Sequence, residues 1–259
     1  MASIDLNADL GETVGGVPTA DDEAMFAVIS SASIACGGHA GDAASLHAAV
    51  DRAARFGVAV GAHPSYPDPA SFGRVPLAMA PAELTAAVAG QLHALADAGA
   101  DIRYVKPHGA LYHAVTADAE QADAVVAAIL ELADRRGGAL AVLGLGGQIG
   151  RAARGAGLPF VFEAFLDRGY RVDGSLVPRG EPGSLLHDPA LVALLFQQLT
   201  GVTYSLTAHA RDLYQIPPHN LRVRVAGASS VLTCCRANVE YLTEHLEPAE
   251  AAKVRVIHH

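Results

Sequence analysis

The chain has no tryptophan, and aromatic residues make up only 5% of its 259 positions. That is a poor composition for a platform that stacks nucleic-acid bases or sugar rings. Cysteine is scarce too: Cys36, Cys234 and Cys235 are the full complement. Three cysteines with no C-x-x-C pair exclude a disulfide framework and offer no thiolate zinc motif. No run of about 18 apolar residues occurs, although hydrophobic residues reach 51%. Much of that fraction is alanine, which favours helix and tight packing rather than a membrane. Basic runs are missing, and a formal net charge of −9 argues against nonspecific nucleic-acid binding. No G-x-x-x-x-G-K-[ST] segment exists, so a Walker-type ATP site is not expected. Gly144–Gly150 fails the dinucleotide fingerprint, because Ile149 stands where the third glycine belongs. Met1-Ala2-Ser3-Ile4-Asp5 carries neither a basic region nor an apolar core, so a cytoplasmic location is expected.

What the sequence does hold is an alternation of short apolar runs and amphipathic stretches. Ile4–Leu6, Ser33–Ala35, Val58–Ala62, Arg103–Val105, Leu140–Leu143 and Phe160–Ala164 read as strands, with Leu221–Val225 as a candidate last one. Between them lie helical patterns. Asp42 caps a helix with Leu46, Ala49, Val50 and Ala53 on one face, and Gly57 ends it. Thr19 heads a helix towards Ser30, Pro81 starts another, and Leu232, Cys235, Val239, Leu242 and Leu246 share one face of a last helix. Six or seven βα units with short connections predict a parallel sheet. The length fits one large α/β domain, so residues 1–259 are read as a single (β/α) barrel, TIM-like and seven-stranded. A barrel is preferred over a doubly wound sheet because nearly every strand ends in polar residues, and only a barrel gathers all strand ends at one mouth.

Those strand ends carry the candidate chemistry. Lys106 is one of only two lysines among 18 basic residues and sits where a buried strand emerges, in Val105-Lys106-Pro107-His108-Gly109. Arginine cannot lose its proton at working pH, whereas a desolvated lysine can, so an amine able to deprotonate is expected here. Asn7 and Asp9 alternate with apolar residues and point into a barrel interior, where uncompensated charge is costly; Glu12 follows. Cys36-Gly37-Gly38-His39-Ala40-Gly41-Asp42 joins a strand to a helix. There Asp42 is a helix cap on the plain reading, Cys36 a small buried residue, and His39 a functional candidate. His63 opens a proline-rich loop running to Phe72-Gly73-Arg74, where Arg74 is a candidate carboxylate clamp. Glu163, Asp167 and Arg168 form a polar cluster that is either a salt-bridged surface hairpin or a substrate-facing loop. His39, His63 and His108 would meet at the mouth near Asp9, as a metal site or as a metal-free acid–base set. No H-E-x-x-H spacing supports the metal. His47, His93 and His245 read as surface or packing residues.

Five collinear segments resemble the LamB/YcsF family: Asp5–Glu12, Ala35–Asp42, Gly61–Arg74, Val105–Tyr112 and Asp167–Arg179. The resemblance spans about the first 180 residues. It implies a barrel of the glycoside hydrolase/deacetylase type, and a role as the A subunit of an ATP-hydrolysing 5-oxoprolinase. That enzyme opens 5-oxo-L-proline (pyroglutamate) to L-glutamate at the expense of ATP with Mg²⁺, together with partner subunits B and C. On this reading Asp9 or Glu12 is the base acting on water, and Lys106 with His108 stabilises the oxyanion or protonates the leaving nitrogen. Asn7, His39, Asp42, Arg74 and Arg168 line the substrate, with Arg74 or Arg168 holding its carboxylate. The chain departs from the family near its end, where Ala226 and Ala228 stand in place of a His-Gly-Asp-like segment. Two other readings follow from these features: a metal-dependent deacetylase or carbohydrate-active hydrolase on the same barrel, and a non-catalytic paralogue that binds small carboxylates.

Overall fold

The computed structural model describes residues 5–201, 203–208, 213–214, 217–233 and 235–256. Its contacts divide into two compact units, one spanning residues 3–164 and one from residue 165 on.

The first unit is built on six parallel strands: β1 (Asn7–Leu10), β4 (Ser31–Ala35), β5 (Ala59–His63), β6 (Ile102–Val105), β7 (Ala141–Gly144) and β8 (Phe160–Phe162). Their order in the sheet is their order in the chain, β1-β4-β5-β6-β7-β8. The paired strands β2 (Thr13–Val14) and β3 (Val17–Pro18) and the helix α1 (Asp22–Phe26) lie between β1 and β4. Helices α2 (Ala43–Phe56), α3 (Pro81–Asp97), α4 (Gly109–Ala117), α5 (Ala119–Arg136) and α6 (Gly147–Gly155) fill the later connections. Every crossover returns the chain to the same edge, so all six strands run the same way. The fold is a curled parallel α/β sheet of the TIM-like kind, and the carboxyl ends of its strands form one rim.

The core follows the predicted pattern. β4 is buried along its whole length, as a parallel strand covered on both faces should be. Leu46, Ala49 and Ala53 form the buried stripe of α2. Its ends are closed by a capping box from Asp42 with Ser45 and by Gly57 in the left-handed conformation. Along α5, Val125, Ile129 and Leu132 are buried in the same core as Leu84, Val88 and Leu92 of α3. Several boundaries differ from expectation, most of the inner strands by one or two residues. The first strand starts at Asn7 and the sixth ends at Phe162. Asp21, whose side chain accepts from the Ala24 amide, caps α1 instead of Thr19, and the helix ends at Phe26.

The second unit contains α7 (Pro189–Thr200), β9 (Tyr204–Ala208), α8 (Pro218–Ala226), β10 (Ala228–Thr233), α9 (Arg236–His245), α10 (Pro248–Ala251) and β11 (Val254–Val256). β10 pairs in parallel with both β9 and β11, and Leu221, Val225, Val231, Leu242 and Val254 bury a separate core. The expected strand at Leu221–Val225 is helical. Its alternating pattern suits a strand, but Pro217-Pro218 starts a helix. A helix also buries Leu221 and Val225 four residues apart, while Val223 is 42% exposed. Leu232 belongs to β10 rather than to the last helix. Ala226 ends α8 and Ala228 begins β10, buried in this core. Among the described residues no helix is long and apolar enough to cross a membrane.

Candidate active site

Five of the six strands of the first unit deliver polar side chains to the carboxyl rim. β1 and its exit carry Asn7, Asp9 and Glu12; the turn after β4 carries His39; β5 ends at His63. The turn after β6 carries Lys106 and His108, and Glu163 follows β8. Two glycines permit the close packing. A side chain at Gly61 would strike the ring of Tyr104, its partner on β6. Without one, the Tyr104 ring lies across β5 and its hydroxyl accepts from Asn7 Nδ2. Gly73 has φ +63°, and a Cβ there would sit 2.8 Å from His39 Cβ. The loop backbone can therefore press against the imidazoles.

One half of the site is an ion network around Lys106. Its side chain is 5% exposed. Three oxygens accept from its ammonium: Asp9 Oδ1 at 3.1 Å, Glu163 Oε2 at 3.1 Å and Asn7 Oδ1 at 3.2 Å. Asn7 is fixed in turn by Ser31, Ser33 and Tyr104. Burial opposes the charge on Lys106, but Asp9 and Glu163 outweigh it and hold its pKa above the ordinary lysine value. The expectation of an amine that readily loses its proton is therefore overturned, because two carboxylates face this one. Burial likewise opposes ionisation of Asp9, but His63 and Lys106 win and hold its carboxyl well below the usual range. A third of the Asp9 side chain remains open to solvent.

The other half is a cluster of imidazoles. His63 Nδ1 donates to the Lys106 carbonyl at 2.7 Å, and His108 Nε2 to the Phe72 carbonyl at 3.0 Å. Their remaining nitrogens, His63 Nε2 and His108 Nδ1, face each other at 2.9 Å. His39 stacks on His108 with ring centroids 3.6 Å apart, and its Nε2 lies 3.1 Å from Glu12 Oε1. Burial, reinforced by the neighbouring imidazole of His63, pushes the pKa of His39 and of His108 down to about 3. Both rings are thus neutral at pH 7. Glu12 moves the other way from Asp9: burial, with the Asp9 charge adding to it, raises its pKa above the ordinary glutamate value. One ligand atom from each of Glu12, His39, His63 and His108 falls within a 4.8 Å span, a group able to hold a metal ion.

The structure thus brings together Asn7, Asp9, Glu12, His39, His63, Lys106 and His108. Arg74 is exposed at the rim, its guanidinium over the Phe72 ring, close enough to act on the charges of Glu12 and His39. Asp42 is exposed and spends its carboxylate on the cap of α2. Arg168 belongs to the second unit, where it is buried and donates to the carbonyls of Ser184 and Val177. Cys36 is buried, its thiol pushed up to about 12 by burial. In the sequence Glu163 falls in a cluster that reads as either a surface hairpin or a substrate-facing loop, with no catalytic role; the structure puts it on Lys106. Its Oε1 is buried with no hydrogen-bond partner among the described residues.

A parallel α/β sheet whose strand ends converge on a buried acid–base centre defines the class: a barrel-type protein with one polar mouth. Comparison with known proteins narrows this. The LamB/YcsF family model matches residues 4–214, and the chain belongs to that family. A relative from Streptomyces griseus subsp. griseus, named as the A subunit of 5-oxoprolinase, is 53% identical over 191 residues, 72% of this chain and 75% of the relative. One from Agrobacterium fabrum, named as A subunit 1 of 5-oxoprolinase, is 50% identical over 204 residues, 77% and 78% of the two chains. The crystal structure of the lactam utilization protein from Thermus thermophilus superposes with a TM-score of 0.72 at 39% identity, covering 77% of this chain and 81% of that one. The strands β10 and β11 lie beyond the family match.

Proposed function

We propose that the chain is the lactam-opening subunit of an ATP-dependent 5-oxoprolinase, converting 5-oxo-L-proline to L-glutamate in the cytoplasm with partner subunits B and C. The observation that carries this reading is the roughly half-identical relatives named as 5-oxoprolinase A subunits, together with a polar site built from the matched segments. A lactam carbonyl is a weak electrophile. Transfer of a phosphoryl group from ATP to its oxygen, with Mg²⁺, would activate it, and this chain's lack of a nucleotide motif assigns that step partly to the partners.

The chain's own residues then divide the work. Glu12 is the better base of the two candidates, because its proton affinity is raised while Asp9's is lowered. Water's oxygen bonds to the lactam carbon and its proton goes to Glu12. The carbon–nitrogen bond breaks as the ring nitrogen takes that proton from Glu12, and a second water cleaves the acyl phosphate that remains to give L-glutamate and phosphate. Lys106 stays charged and supplies a fixed positive field for the oxygen that gains charge. Asp9, Asn7 and Glu163 hold the ammonium in place. Arg74, exposed at the rim, pairs with the substrate carboxylate, and the neutral rings of His108 and His39 border the reacting carbon.

The test is glutamate release from 5-oxo-L-proline with ATP and Mg²⁺, using the chain alone and then with B and C subunits. Turnover only in the full mixture is expected. No turnover, with the same partners active beside a different A subunit, would overturn the reading and turn attention to the departure at Ala226 and Ala228.

A further inference from the structure

The two backbone carbonyls that flank the imidazole cluster leave it short of a cation. Each carbonyl can only accept, so His63 carries its proton on Nδ1 and His108 on Nε2. With no further proton on either ring, His63 Nε2 and His108 Nδ1 are both lone pairs, yet they sit 2.9 Å apart. Something positive belongs between them. The charge balance of the groups around Lys106 and the imidazoles, the exposed Arg74 aside, says the same. Asp9, Glu12 and Glu163 bring three carboxylates to the rim, against one buried ammonium on Lys106. A single proton on His63 Nε2 would serve His108 and Asp9. It would leave Glu12 with only the exposed Arg74 guanidinium as a counter-charge.

We infer that Glu12 Oε1, His39 Nε2, His63 Nε2 and His108 Nδ1 form a binding site for one divalent transition-metal ion of the zinc type. Three imidazoles and one carboxylate suit Zn²⁺ and its first-row neighbours, and suit Mg²⁺ poorly, since Mg²⁺ prefers oxygen. Two of the histidines already have the outer hydrogen bond to a carbonyl that metal-bound imidazoles use to fix their orientation. A divalent charge would bring three carboxylates and one ammonium to neutrality. His39 is the weakest of the four. Its Nε2 faces Glu12, so it joins only by moving its proton to Nδ1, a buried atom with no partner among the described residues. Ligation through Oε1 is compatible with the base role proposed for Glu12, because a carboxylate can bind through one oxygen and take a proton on the other.

The inference is independent of the lactam reading, and its test needs neither ATP nor partner subunits. The full chain, with His258 and His259 replaced by alanine so that the tail cannot bind, is stripped with a chelator. It is then titrated with Zn²⁺ by calorimetry and with Co²⁺ by visible absorption. One ion per chain is expected, with the strong visible bands of a four-coordinate cobalt site. His63→Ala and His108→Ala should each weaken binding by more than ~100-fold, His39→Asn by less, each variant's fold being checked by circular dichroism. Should a variant unfold, histidine ¹⁵N spectra of the unsubstituted chain give the same answer. Zinc should shift His63 Nε2 and His108 Nδ1 together. Three outcomes would overturn the inference: no ion at one-to-one stoichiometry, unchanged affinity in the folded variants, or a proton shared between His63 and His108 that zinc does not displace.

Discussion

Asp9 and Glu12 leave the same strand three residues apart and end in opposite states. Asp9 faces an ammonium and is held ionised well below the usual range; Glu12 faces neutral imidazoles and holds its proton more tightly than usual. Burial penalises both, so the neighbour decides the sign. The Lys106 half of the site is a set of ion pairs that neutralise one another. The imidazole half pairs the stacked, neutral rings of His39 and His108 with the edge-on ring of His63, whose Nε2 faces His108 Nδ1. One rim thus carries a fixed field beside groups that can exchange protons, which is how paired carboxylates take separate roles.

The largest effect should come from removing the hub. Lys106→Ala leaves Asp9 and Glu163 facing each other across a buried gap. It should cost about 3–5 kcal/mol of stability, measured by denaturant unfolding, and abolish glutamate release in the reconstituted complex. Lys106→Arg should not restore activity, because a planar fork cannot replace a compact ammonium among three oxygens. If Lys106→Ala kept full activity, the division into two halves would collapse.

Glu12→Gln should separate catalysis from stability. As the proposed base its loss should lower kcat by ~10²–10⁴-fold, while the melting temperature holds or rises, because a buried carboxylate with a raised pKa destabilises its ionised form. Asp9→Asn should do the reverse for stability, since Asp9 gains from its charge.

The pH dependence should carry the same signature. His39 and His108 are neutral when folded down to about pH 3 but protonate near 6.5 when unfolded. Between these values the unfolded chain binds more protons, so stability falls as pH drops. The slope should approach about 1.4 kcal/mol per pH unit for each histidine. His108→Gln should flatten that fall. Asp9 adds a further loss only below its ordinary value near 3.8. The Lys106 contribution is present below its ordinary value of 10.5 and lost only as pH rises through its raised folded value.

The smallest effects should lie at the rim. Gly73→Ala forces φ +63° on an L side chain and crowds His39 and His108, for a cost of about 1–3 kcal/mol. Arg74→Ala should raise KM for 5-oxo-L-proline with little change in kcat, as expected for a carboxylate clamp.

Much of the first unit was legible because parallel strands announce themselves as apolar runs that stop at polar residues. His39, His63, Lys106 and His108 all sit at or just after such stops, while Asn7 and Asp9 lie within β1 itself. The charge states were not legible, because they depend on partners far away in the chain. Lys106 looked like an amine that could deprotonate until Asp9 and Glu163 were found beside it. The second unit misled at Leu221–Val225, where strict alternation imitates a strand although Pro217-Pro218 just before it favours a helix start. Nothing local in the sequence discloses that two carbonyls, of Lys106 and Phe72, fix the protons on two histidines.

The sheet's order also has a consequence for how the protein is made. Because each strand pairs with the one synthesised before it, the first unit can be laid down progressively as the chain leaves the ribosome, with few distant closures to wait for. Asp9 and Lys106 can meet early, but Glu163 arrives only with the last strand. A nascent chain stalled before residue 163 would hold a half-satisfied ammonium at its rim, so β8 acts as the latch that completes the charge network.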